Sequence, residues 1–384
     1  MLLSEDHQAV QDAVRSFVQA EIAPHAAAWD KNHQFPKAQL RGLADLGCFG
    51  VAVPTEWGGA GLDYLALSII LEEIAAGDGA TSTIISVNNC PVASILMAYA
   101  TADQKERFLK PLASGDLLGA FCLTEPHVGS EAGGLRTTAT RVDDGDGAAY
   151  VLNGVKQFIT SGKNGDVAIV MARTSPATDK AAGKKGISAF IVPTATPGYV
   201  VARIEDKMGQ HASDTAQINF ENCRVPAANL IGDEGQGLKI ALSGLEGGRI
   251  GIASQCIGMA RAAFDAALRY SKDRVSFGQP IFQHQAVQFK LADMATQIEA
   301  ARQLIHHAAS LKDAGQPCLK EAAMAKLFAS EMAERVCSDA IQVHGGYGYV
   351  TDFPVERIYR DVRVCQIYEG TSDVQKILIG RALA

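Results

Sequence analysis

Two stretches in the last third of the chain repeat their apolar residues every three or four positions. Val287, Leu291, Met294, Ile298, Ala301 and Ile305 form one series, and Met324, Phe328, Met332, Val336, Ala340 and Val343 form the other. That spacing puts one apolar stripe on each of two long amphipathic helices, and such stripes are buried by packing in a bundle. Gly315-Gln316-Pro317 separates the two. A chain with these helices near one end is constrained to a helical C-terminal unit, and the rest must be fitted around it.

Residues 4 to about 115 also read as helical, with Val10, Val14, Phe17 and Val18 on the helical repeat. Ser4-Glu5-Asp6 caps and charges the first helix. Pro24 and Pro36 punctuate the region, Gly58-Gly59-Ala60-Gly61 is a loop, 65–75 is a further apolar helix and 103–107 starts another. The texture changes between about 118 and 225, where short alternating runs sit among Gly, Asp and Pro turns. Strands are expected at 167–171, 188–192 and 217–220. Helical spacing resumes near 235, and a helix beginning near Ile250 is expected to end at Arg274-Val275-Ser276-Phe277-Gly278. The order predicts an α+β chain with a helical domain over 1–118, a small β domain over 119–228 and a helical bundle over 229–384. Nothing repeats at a fixed period, so a solenoid is not expected.

Composition excludes several function classes. A formal net charge of −7 leaves no basic footprint for nucleic acid. No apolar run reaches the ~18 residues a membrane span needs. The eight cysteines are scattered without a Cys-x-x-Cys, which suits reduced thiols better than a disulfide framework or zinc site. His306 and His307 are adjacent and point to different faces of a helix, so no metal is expected. Gly345-Gly346-Tyr347-Gly348 follows a helix rather than a strand and is no dinucleotide fingerprint. Cys122 and Cys365 lack a supporting histidine context for a nucleophile.

Chemistry concentrates in six segments. Ile367-Tyr368-Glu369-Gly370-Thr371-Ser372 holds a glutamate between an aromatic ring and a glycine. The ring can exclude water, and the glycine lets a bulky ligand approach the backbone. Desolvation lifts a carboxyl above its usual ~4.3 and makes it a stronger base, suited to taking a weakly acidic proton from carbon. Phe121 to Ser130 is either a hydrogen-bonding polar loop around Thr124 and Ser130 or a plain strand-turn. At Phe158-Ile159-Thr160 an aromatic could cover a planar ligand, or the segment could be a buried strand end. Gly247-Gly248-Arg249 costs a helix ~1 kcal/mol per glycine, which points to close approach of a backbone or a ligand. Arg274 could bind a phosphate or sit at a solvated helix end. Gln342-Val343-His344-Gly345-Gly346 ends a helix with glycines that cap it or admit a cofactor.

Together, in order and spacing, these segments resemble the acyl-CoA dehydrogenases over nearly the whole chain. Residues 248–255 resemble the short-chain members, and 342–349 the isobutyryl-CoA members. The resemblance implies a small β-barrel-like central domain, a four-helix bundle, FAD between them, and a homotetramer built as a dimer of dimers. It implies that Phe121, Leu123, Thr124, Gly129 and Ser130 line the flavin, with Phe158, Ile159 and Thr160 on its other side. Arg274, Phe277 and Gln285 would reach a neighbouring subunit's FAD, as would Gln342, Val343, Gly345 and Gly346. Thr371, Ser372 and Asp373 would meet FAD beside the base. Ser130, Glu246, Arg249, Tyr368 and Gly370 would contact the acyl-CoA.

The resemblance also implies an activity. Glu369 takes the α-proton of a short or short branched-chain acyl-CoA while the β-hydrogen leaves to the flavin, giving a trans-2-enoyl-CoA. Electrons then pass to an electron-transfer flavoprotein. Some members place the base near Gly247 instead; here Glu246 stands one residue off that site. His127 departs from the glycine common at that loop position, and Gln255 at the expected pocket floor favours a short acyl group. Alternatives on the same fold are a medium-chain enzyme, an O₂-using acyl-CoA or nitroalkane oxidase, and a scaffold without chemistry. The setting implied is bacterial cytoplasm, or the mitochondrial matrix in a eukaryote.

Overall fold

The computed structural model describes residues 3–145, 147–175 and 183–384. Helices run from Glu5 to Ala113, strands from Gly119 to Ile231, and helices again from Gly237 to Leu383. Ser4 caps the first helix, Glu5–Phe17, by accepting a hydrogen bond from the His7 N–H. The apolar helix expected at 65–75 is Tyr64–Gly77, and every residue from Leu65 to Ala75 is buried. A helix buried all round must neutralise its charges, and this one does. Glu73 pairs with Arg15 at 2.8 Å and Arg261 at 2.7 Å, and Glu72 with Arg261 at 3.1 Å and Arg302 at 2.9 Å. Arg15–Glu73 joins two N-terminal helices, and the other three pairs tie the N-terminal helices to the C-terminal ones.

The three expected strands are Val167–Arg173, Ile187–Pro193 and Thr215–Pro226. They belong to one eight-stranded sheet. Its long central strand, Gly147–Thr160, pairs antiparallel with Thr138–Asp144 and with Thr215–Pro226. Register breaks after Leu152 and Lys156 bend that strand, so that its end, 157–160, lies beside the loop that follows Gly119–Cys122.

In the C-terminal part the helix expected from Ile250 begins instead at Gly237 and continues unbroken to Asp273. Gly247 and Gly248 lie inside it and are buried, so tertiary packing overrides their low helix propensity. Gln285–Asp313 and Leu319–His344 pack beside it, and Tyr64–Gly77 contributes Leu65, Ile69 and Ala75 to the same core. The expected stripe on Leu319–His344 is displaced at its start. Met324 and Phe328 are half-buried, while Ala322, Ala325, Ala329 and Ala333 are fully covered. Small side chains let the helices approach closely there, and the large ones fill the rim. Among the described residues no helix is long and apolar enough to cross a membrane, and all eight cysteines are free thiols.

Candidate active site

The base candidate sits in a strained turn. Glu369 has φ 52° and Gly370 φ 87°, two successive left-handed residues. Glycine takes this conformation freely, but a glutamate held there costs about 1–3 kcal/mol and persists only where its surroundings over-determine it. Three groups do so. Gln375, wholly buried in the helix Ser372–Leu383, donates from Nε2 to the Glu369 carbonyl at 3.1 Å and to the Gly370 carbonyl at 2.8 Å. Lys326, wholly buried in Leu319–His344, donates from Nζ to the Gly370 carbonyl at 2.7 Å. Thr371 caps Ser372–Leu383 by accepting from the Val374 N–H at 3.3 Å.

The Glu369 carboxylate lies against Gly248. A Cβ at position 248 would stand 2.7 Å from Oε2 and 3.0 Å from Cδ, so the close approach foreseen at this glycine is to the carboxylate itself. Oε2 is buried and has no hydrogen-bond partner. Burial pushes the Glu369 carboxyl up to about 7, although Arg249 and Lys326 pull it the other way. Next to Gly248 on the same helix, Arg249 is buried, and its Nε and Nη1 have no partner either. Burial lowers its pKa while Glu369 and Glu246 raise it. Buried polar atoms without partners are expensive, so a carboxylate and a guanidinium left open at one spot mark a place where a ligand completes the bonding.

Two expected substrate contacts behave differently. The Tyr368 hydroxyl turns inward, donating to Gln255 Oε1 at 3.0 Å and lying 3.4 Å from Thr83 Oγ1 and from Gln210 Nε2. Gln255 is itself buried and donates to the Gly79 carbonyl at 2.8 Å. Glu246 faces away from Gly248, accepting from Lys312 Nζ at 3.1 Å. With Tyr64, Ser94, Tyr99 and Lys312 it lines a cavity of ≈ 260 Å³.

The Phe121–Ser130 segment leaves its strand at Cys122 and is a structured loop. Buried Glu125 accepts from the Arg136 N–H at 2.7 Å, the Thr137 N–H at 2.9 Å and Lys156 Nζ at 2.8 Å. Lys156, also buried, donates to the Leu123 carbonyl at 3.1 Å. Burial opposes both charges, yet Lys156 and the backbone donors hold Glu125 below the usual carboxylate range, while burial pushes Lys156 down. The Gln157 N–H donates to the Thr124 carbonyl at 2.9 Å, so 123–125 and 156–160 form one wall. On it Leu123 and Ile159 are buried, Phe121, Thr124 and Thr160 half-buried, and Gly129 and Ser130 exposed. Phe158 is not a buried strand end: it stands 63% exposed at φ 58°. The neighbouring Ser161 Oγ is buried without a partner, as is Ser372 Oγ beside the base. Asp373 points to solvent. His127, the departure from the expected glycine, reaches to 3.7 Å from Glu125.

The remaining residues gather elsewhere. Arg274 leaves the far end of Gly237–Asp273, and its guanidinium lies over the Tyr347 ring at 5.7 Å. Phe277 is 94% exposed, Gln285 and Gln342 are exposed, and Val343 is buried. Gly345 caps its helix at φ 59°, and a Cβ on Gly345 or Gly346 would meet nothing within 4 Å. Arg274 lies about 37 Å from Arg249 along one helix at 1.5 Å per residue, so the two cannot share a small ligand in one chain.

Lys326, Gln375 and the Glu125–Lys156 pair were missed in the sequence. The one available signal was Lys326 interrupting the alanine-rich stripe of its helix.

Comparison with known proteins places this geometry among relatives. Profiles described as the N-terminal, middle and C-terminal domains of acyl-CoA dehydrogenase match residues 4–116, 120–223 and 235–384. The mitochondrial short-chain specific acyl-CoA dehydrogenase of Rattus norvegicus is 47% identical over 377 residues, covering 98% of this chain and 90% of the relative. The structure of butyryl-CoA dehydrogenase from Megasphaera elsdenii superposes with a TM-score of 0.94 at 43% identity, covering 100% of this chain and 99% of that one. A chain of the structure described as the electron transferring flavoprotein of Acidaminococcus fermentans gives 0.95 at 45% identity, with coverage of 100% and 99%.

Proposed function

The chain belongs to the acyl-CoA dehydrogenase family, and from that premise we propose that it oxidises a short-chain acyl-CoA to the trans-2-enoyl-CoA with Glu369 as the base. FAD is the cofactor of this reading, and an electron-transfer flavoprotein is the acceptor. One observation carries the catalytic assignment: a carboxyl raised to about 7 by burial, with an unpartnered oxygen, lies against Gly248 beside an unpartnered buried arginine.

The residues present suit a flavin. Ser161 and Ser372 hold buried hydroxyls without partners, and Phe158 offers a free aromatic face on the wall with Thr124 and Thr160. The open backbone at Gly345 and Gly346, with Arg274 and Gln342 nearby, suits a neighbouring subunit's flavin, which supports the reading as a homotetramer. Bound on that wall, FAD supplies the two-electron acceptor that the substrate's β-carbon needs. The chain's own part is acid–base and positional. With its pKa near 7, Glu369 is largely ionised at slightly alkaline pH and is a far stronger base than an ordinary carboxylate. Arg249 offers two donors to the acyl-CoA, and the Gly237–Asp273 helix fixes their position. Gln255, the residue expected at the pocket floor, is buried with Thr83 and Gln210 and accepts from the half-buried Tyr368 hydroxyl, which supports the reading of a short acyl group.

The test is anaerobic titration of the purified protein with butyryl-, isobutyryl-, 2-methylbutyryl- and octanoyl-CoA, followed by flavin absorbance. Bleaching by a short acyl-CoA is the expected result. Stronger bleaching by octanoyl-CoA would overturn the chain-length reading, and no bleaching by any thioester would overturn the activity.

A further inference from the structure

We propose that Lys326 is a positioning residue for the base, fixing the Gly370 carbonyl and through it the turn that aims the Glu369 carboxylate. The inference rests on reading Glu369 as the base. A lysine at 0% exposure is rare unless it is paired. Among the described residues the only hydrogen bond of Lys326 goes to the Gly370 carbonyl, at 2.7 Å, rather than to a carboxylate. That carbonyl belongs to the second of two consecutive left-handed residues. Gln375 reaches the same oxygen at 2.8 Å from the Ser372–Leu383 helix, so two buried donors from two different helices clamp one peptide. Neither donor touches a reacting group, and both hold the backbone that carries one.

The charge of Lys326 has a second effect. The groups facing Glu369 are Arg249 from Gly237–Asp273, Lys326 from Leu319–His344, and the Cys90 thiol from 88–93. Lys326 itself faces Cys256, Cys365, Glu369 and Arg249, and burial pushes its pKa down. As a cation, Lys326 favours the ionised carboxylate against the burial that raises its pKa. Removing that charge moves proton loss at Glu369 to higher pH.

The holoenzyme variants Lys326→Met and Lys326→Gln separate the two effects. Rates of flavin bleaching at saturating butyryl-CoA are measured across pH, with the dissociation constant, flavin content and melting temperature of each protein. In Lys326→Met the limiting rate is expected to fall about 10- to 100-fold, as for a catalytic group displaced by a fraction of an ångström to an ångström. Substrate affinity is expected to change less than about 3-fold, since ground-state contacts remain. The acid limb is expected to rise by about one pH unit. Lys326→Gln keeps a donor for the carbonyl, so it recovers part of the rate while its acid limb stays displaced. It also serves if the methionine variant fails to fold. A rate that falls only in step with flavin loss, with an unmoved acid limb, overturns the proposal. Should wild type fail to bleach, the dehydrogenase reading falls separately. The carboxyl titration of oxidised holoenzyme, followed by infrared difference against Glu369→Gln, then decides: an unshifted titration in Lys326→Met overturns the positioning role.

Discussion

Replacing Glu369 by glutamine should remove activity and make the protein more stable, and the gain should depend on pH. Folding raises this carboxyl from 4.5 to about 7 because burial disfavours its charge. Between those values the folded chain holds a proton that the unfolded chain has released, so stability falls as pH rises. Below about 4.5 both states are protonated and there is no cost; above about 7 the full cost is present. At about 1.4 kcal/mol per pH unit the upper bound is about 3.5 kcal/mol. Glu369 is only half-buried, so solvent screening trims this to about 1–3 kcal/mol. A glutamine of the same shape carries no charge and escapes the cost. For a chain of this length, with an unfolding entropy near 2.1 cal/mol/K per residue, each kcal/mol moves the melting temperature by roughly 1 °C. Glu369→Gln holoenzyme should therefore melt about 1–3 °C above wild type at pH 8.5 and close to it at pH 4.5. Flavin bleaching by butyryl-CoA should be abolished in the same sample. A variant less stable than wild type at pH 8.5, or an equal difference at both pH values, would refute the claim that the folded protein holds this carboxylate at a cost.

Three further expectations follow from the geometry. Gly248→Ala places a Cβ 2.7 Å from Glu369 Oε2. The flexible carboxylate gives way at little cost in stability but loses its aim, so the bleaching rate should drop about 10-fold or more with the melting temperature nearly unchanged; an unaltered rate contradicts this. Lys156→Met leaves the Glu125 charge buried and unpaired beneath the 123–125 wall, which should cost about 3–5 kcal/mol and reduce retained flavin, read by thermal melts and the flavin-to-protein absorbance ratio. Adding Glu125→Gln should recover much of the loss. Phe277→Ala combined with Arg274→Ala should weaken both flavin retention and assembly, seen as a smaller species in light scattering; a variant of wild-type size that keeps its flavin counts against the inter-subunit reading.

The sequence carried the architecture because helix and strand are written in short-range spacing. Ser4, the run from Leu65 to Ala75 and the strand Val167–Arg173 all declare themselves within a dozen residues. Where spacing misled, packing decided. Gly247 and Gly248 looked like an interruption between helices, yet they lie inside one, because Cys90, Tyr64 and Glu369 occupy the space a side chain would take. Glu369 was read as the candidate base from its flanking ring and glycine. Its strain, and the donors that maintain it, were not. Lys326 meets Gly370 from a different helix through a bond that no local pattern encodes, and a lysine on an amphipathic helix is ordinarily assigned to solvent. Tyr368 shows the converse. Its place beside the base was clear, but the inward turn of its hydroxyl depends on Thr83, Gln210 and Gln255, which come from three other parts of the chain.

One helix links the two sets of residues that the site reading needs. Leu319–His344 carries Lys326, which holds the turn of the base, and Gln342 roughly sixteen residues later, about 24 Å along a straight helix. On the proposed reading, Gln342, Gly345 and Gly346 at that exposed end would face a second subunit's flavin rather than the one beside Glu369. On this reading the buried core of the helix aligns the base of its own subunit while its exposed end completes a neighbour's cofactor site. A substitution that disturbs the seating of Leu319–His344 should then impair its own subunit through Glu369 and a neighbouring subunit through flavin retention.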